Sequence, residues 1–230
     1  MIDLDVPTRR RRFVGRVAAL AAAMTGVGVL RHVTPLRAEH LPLTTAGGPD
    51  DVWLDALKGK YKTTFDVDAH KNGNALVQGK SVLDAWRDSF GVPEHDVNLV
   101  MGVRGTGIPI VLRDELWAKY KLGEQYGIID PATKAASVRN LYVHSNVQPS
   151  GPVSHEQTVE ALQKRGVVFL VCRNTIAGAT RKLVAAGMGT AEEVRDSLTD
   201  GMLPGVIIIP GMIIAFTEMQ QRGVAYVYAG

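Results

Sequence analysis

Five short apolar runs alternate along the chain with stretches of helical periodicity. Residues 167–171 (Val167, Val168, Phe169, Leu170, Val171) form an unbroken apolar run rich in β-branched side chains. That is the pattern of a strand buried on both faces of a parallel sheet. Segments 61–68, 97–103, 205–210 and 224–229 read as four further strands. Between them, residues 75–90 place Leu76, Val77, Val82, Leu83 and Trp86 at helical spacing, with Gly91 as the stop. Residues 108–120 predict a mostly helical stretch with Leu112, Leu116 and Trp117 inward. Ser154 and Gln157 form a capping box that opens a helix carrying Val159 and Leu162. After Cys172, a helix capped by Asn174 or Thr175 carries Ile176, Ala179, Leu183 and Val184, and stops at Gly187. Thr190 and Glu193 form a second capping box, opening a helix to about Leu198. Residues 212–222 put Met212, Ala215, Phe216 and Met219 on one face, ended by Gly223.

Alternation of this kind predicts an α/β domain, a three-layer α/β/α sandwich with a five-stranded, mainly parallel sheet. Segment 121–151 breaks the rhythm. It holds Gly127, Pro131, Pro149 and Gly151 and only a helical hint over 132–140. An irregular insertion of that length is either functional or an interface.

The amino terminus has a different pattern. Arg9, Arg10, Arg11 and Arg12 precede Phe13, and an apolar run covers 17–30. A basic start followed by a run too short to span a bilayer describes a signal peptide. Arg10 and Arg11 stand in the register of a twin-arginine signal, which predicts export to the periplasm. The alternatives are a basic amphipathic tail or an uncleaved anchor. The expected organisation is a signal peptide over 1–38, a linker and short helix over 39–60, and the α/β domain over 61–230.

Charge changes the picture once that address is set aside. The formal net charge is +3 over 230 residues. Seven of the 26 Lys+Arg but only two of the 23 Asp+Glu lie in residues 1–38, so the remainder is slightly acidic. That composition argues against a nucleic-acid-binding protein. A single cysteine excludes an internal disulfide and every C-x-x-C motif.

The candidate chemistry gathers around that cysteine. Cys172 stands where a strand meets a helix, at the sheet edge where open α/β folds bind ligands. Helix amides and Arg173 beside it favour a thiolate, the reactive form. The alternative is a small buried hydrophobe that finishes a strand. Arg104 and Gly105 follow the second strand, at the same edge, where backbone amides and a guanidinium can hold an anion; the alternative, and the plainer reading, is a strand-to-helix turn. With Asn174 they make up the expected anion or substrate site. Asp66, Asp68 and His70 end the first strand with alternating spacing and are of metal-ligating type, though exposed loop polars are the commoner reading; His144 and His155 have no third ligand at ligand-like spacing, and no cofactor is expected.

Several blocks together resemble one family. They are the strand ending in Cys172 with the helix to Met188, residues 203–211, and the ending from Glu218 through Tyr228. Residues 72–86 and 101–105 also fit. Together they are similar to the DsrE-like family, proteins related to intracellular sulfur oxidation. The resemblance implies a three-layer α/β/α domain, usually a homo-oligomer, and a cysteine at the position of Cys172 that carries sulfur as a persulfide. The partner it implies is a small sulfur compound or a protein thiol. Two features depart from the family: the export signal and the length of segment 121–151. Two functions stand: a sulfur carrier or acceptor using Cys172, and a non-catalytic binding or assembly module in which Cys172 is structural. A weaker third is a hydrolase pairing Cys172 with a histidine such as His70.

Overall fold

A computed structural model describes residues 52–143 and 152–230. The expected signal peptide over 1–38, the part of the expected linker up to residue 51, and His144 with the rest of 144–151 lie outside the described residues.

The first described element is the short helix α1 (Val52–Asp55). It is followed by β1 (Tyr61–Ala69), α2 (Asn74–Phe90) and β2 (Val97–Thr106). Two short helices come next, α3 (Asp114–Lys119) and α4 (Leu122–Tyr126). Then come α5 (Val159–Lys164), β3 (Val168–Cys172), α6 (Arg173–Ala185) and α7 (Ala191–Asp200). The chain closes with β4 (Val206–Ile209), α8 (Met212–Gln221) and β5 (Ala225–Tyr228). The five strands form one sheet in the order β4-β3-β2-β1-β5, every neighbouring pair parallel. The expected α/β/α sandwich is therefore the fold observed.

Alternation along each strand feeds two separate cores. Phe65, Leu99, Met101, Phe169 and Val171 point to one face and pack against Leu76 and Leu83 of α2, Leu162 of α5, and Ile176 and Leu183 of α6. Val100, Leu170, Cys172 and Ile209 point to the other, against Met212, Phe216 and Met219 of α8 and Trp53 of α1. Gly102 lets α8 sit this close. A Cβ there would lie 2.7 Å from Met212 Sδ and from Phe216.

Three expectations need correction. Residues 108–120 are not one helix: a 3-10 turn covers Ile108–Val111 and α3 starts only at Asp114. Leu112 is drawn out to bridge Met202, and the amide of Arg113 donates to the carbonyl of Gly201 at 2.9 Å. The hint of helix over 132–140 is a set of turns, held by an antiparallel bridge between Ile129 and Ala136. The Ser154 box opens only the 3-10 turn His155–Gln157, and Thr158 caps α5 through a bond from the amide of Ala161. Among the described residues, no helix is long and apolar enough to cross a membrane.

Candidate functional site

The strand order creates the site. The helix after β3 (α6) covers one face of the sheet, and the helix after β4 (α8) covers the other. Two adjacent parallel strands whose continuations part in this way leave a crevice beyond their carboxyl ends. A cavity of about 470 Å³ lies there. Its floor is Cys172 and Thr175, one side is Gly178, Ala179 and Lys182 of α6, and the other is Met212, Ile213 and Ile214 of α8. Arg104, Gly105 and Thr106 from the end of β2 close one end together with Tyr126.

Cys172 is itself the N-cap of α6, a correction to Asn174 or Thr175. Its backbone is still extended (φ −97°, ψ 152°), because it completes β3 by pairing with Ile209 before the helix begins. The side chain is buried, at 4% exposure. Sγ lies 3.1 Å from the hydroxyl oxygen of Thr175, one turn on. That hydroxyl can donate to a sulfur anion, and the amino end of a 13-residue helix favours negative charge at the same place.

The other predicted residues divide. Asn174, Arg104 and Gly105 border the crevice with Cys172; Arg173 is exposed and lies outside its lining. Gly105 has φ +54°, and a Cβ there would approach the Asp68 carbonyl oxygen to 2.5 Å, so this turn requires glycine. Arg104 follows Val103, which pairs with Val171 across the β2–β3 register, but its guanidinium turns to β1. Nε and Nη2 donate to the two carboxylate oxygens of Asp66 at 2.7 and 2.9 Å. Asp66 is 1% exposed and also accepts from the Tyr226 hydroxyl at 2.6 Å. This bond to a carboxylate holds the Tyr226 phenol up, to about 12. The Tyr228 hydroxyl donates to Asp68 at 3.1 Å. Arg104 is thus part of a paired polar row across β2, β1 and β5, with much of its donor capacity already used.

His70 does not face Cys172 as a base. Its Nδ1 accepts from the Asn72 amide at 3.3 Å, so Nε2 carries the proton and donates to the Tyr126 carbonyl at 3.1 Å. Burial lowers its pKa below the ordinary 6.5, against the pull of the Tyr126 carbonyl. Among the described residues no three His, Cys, Asp or Glu side chains converge as a metal set.

Sequence reasoning missed Lys182 and Tyr126. The Lys182 amine lies 5.3 Å from the centre of the Tyr126 ring. Burial raises the Tyr126 phenol to about 12, so the ring stays neutral. Lys182 was legible in principle, because 172, 175, 179 and 182 follow one helical face. Tyr126 was not, since it enters from the irregular segment.

No protein-family model matches the chain, and no curated protein matches it. Among solved structures it is similar to a protein of unknown function, MTH1491, from Methanobacterium thermoautotrophicum. The identity is 18%, the match covers 73% of this chain and 98% of that one, and the TM-score is 0.38.

Proposed function

We propose that this protein is an exported sulfur carrier in which Cys172 accepts a sulfane sulfur and holds it as a persulfide. One observation carries the reading: the only thiol of the chain borders the crevice at the point where the sheet's helices part, at the amino end of α6. The Cys172 thiol first gives its proton to solvent. The thiolate then attacks a terminal sulfane sulfur of a polysulfide. One sulfur–sulfur bond of the donor breaks, one forms at Sγ, and the shortened polysulfide leaves with the electron pair. With no second cysteine to resolve the persulfide, the sulfur must pass to another molecule. The resemblance to DsrE-like proteins supports the same assignment.

Polysulfide treatment followed by intact mass tests it. Wild type gains ~32 Da, one sulfur atom, and Cys172→Ser gains nothing while keeping its fold. A second reading has its own observation: Cys172 packs with Leu170, Ile209 and Met212 in the smaller core. If wild type takes no sulfur and its thiol is alkylated only after denaturation, Cys172 is structural and the protein a binding module.

Export is the other half of the proposal and rests on Arg10, Arg11 and the apolar run behind them. Replacing both arginines with lysine should leave precursor in the cytoplasm by cell fractionation. Unchanged export would remove the twin-arginine route.

A further inference from the structure

The crevice is larger than a sulfur atom requires, and its far end has a charge of its own. From Cys172 to Lys182 the distance along α6 is about 15 Å at the rise of an α-helix. Gly178 and Ala179 keep the α6 side between them free of large side chains. Opposite stand Ile213 and Ile214, 66% and 65% exposed although they are large and apolar. Lys182 is exposed, its amine faces the Tyr126 ring, and among the described residues no carboxylate lies within ion-pair distance of it. Arg104, by contrast, is neutralised by Asp66. A thiol at one end, an apolar wall between, and an uncompensated cation at the other fit an extended small molecule with an acidic tail. Inorganic polysulfide, a short dianion, would use the thiol and the cation but not the apolar wall between them.

We propose that the sulfur donor of this crevice is a low-molecular-mass organic persulfide bearing a carboxylate, with its sulfane sulfur at Cys172 and its carboxylate at Lys182. The proposal rests on the persulfide reading of Cys172 given above. An extended tripeptide spans about 10 Å, which together with the reach of a lysine side chain covers the distance. The transfer balances: the donor R–S–SH and the Cys172 thiolate give R–SH and the Cys172 persulfide anion. The donor's sulfur–sulfur bond breaks, one forms at Sγ, the leaving thiolate departs with the electron pair, and the proton of the transferred sulfur passes to it through solvent.

The test crosses two proteins with two donors: wild type and Lys182→Gln, against glutathione persulfide and its diethyl ester. The readout is the rate of sulfur adduct formation at Cys172. Lys182 is exposed, so wild type should prefer the acid over the ester by only about two- to five-fold, the order of one solvent-exposed ion pair. Lys182→Gln should lose that preference, and Lys182→Arg should restore most of it. Equal preference in wild type and Lys182→Gln overturns the assignment. Calorimetry with S-methylglutathione, which cannot transfer sulfur, separates the two levels of inference. If it binds in a Lys182-dependent way while no donor delivers sulfur, the ligand class stands and the carrier reading falls. If polysulfide loads Cys172 but S-methylglutathione binds equally with and without Lys182, only the present proposal falls.

Discussion

Asp66 shows how a charge can sit in this sheet at 1% exposure. Its carboxylate is answered on one side by the Arg104 fork and on the other by the Tyr226 hydroxyl. Removing one member of a buried pair leaves the other uncompensated, at a cost of about 3–5 kcal/mol. Arg104→Met should lie at the low end, about 3 kcal/mol, because Tyr226 still donates to Asp66. Chemical denaturation checks this, and the double variant Arg104→Met with Asp66→Asn should recover most of the loss. His70 makes the second case. Its pKa is lower in the folded chain than the ordinary 6.5. Above that pH the imidazole is neutral in folded and unfolded chains alike, and the full stability is present. As pH falls through about 6.5, the unfolded chain takes up a proton that the folded one resists, so stability declines. The denaturation midpoint should therefore drop between roughly pH 7.5 and 5.5, and His70→Gln should flatten that part of the curve.

At the scale of elements, what could be read from the sequence depended on whether the determining partner lay nearby. β3 was legible because a strand buried on both faces is apolar throughout. Gly187 and the Thr190–Glu193 box marked the end of α6 and the start of α7 with local chemistry alone. The break in 108–120 was not legible, because Leu112 answers to Met202 far along the chain. The irregular segment was read as functional or as an interface. It lends Tyr126 to the crevice, and a single side chain, Asn140, does much of the holding. Asn140 Nδ2 lies within 3.1 Å of the carbonyl oxygens of Pro109, Ile110 and Leu112, and its Oδ1 accepts from the Tyr142 amide at 2.9 Å. Nothing in the spacing of one asparagine announces that. Asn140→Ala strands several buried backbone groups at once and should cost about 2–4 kcal/mol, measured by denaturant unfolding. In the candidate site, Cys172 and Gly105 were placed by sequence position. The engagement of Arg104 by Asp66 was hidden, since it joins neighbouring strands whose register only the folded sheet sets.

Taken whole, the molecule is built unevenly about its sheet. One face is covered by helices from three successive connections, and the other chiefly by α8 and the short α1. The one connection that leaves this pattern runs from β4 at one edge to β5 at the opposite edge, where β5 pairs with β1. That placement has a meaning for synthesis. β1 emerges first among the described strands, yet its outer side is paired only by β5, the last of them. Until Tyr226 and Tyr228 arrive, the carboxylates of Asp66 and Asp68 lack their hydroxyl donors. A chain cut before β5 therefore presents an open strand edge and a half-answered buried charge, while one that includes β5 does not. The contact between β1 and β5 thus reports that the sheet is closed on this side: it forms only once translation has passed β5.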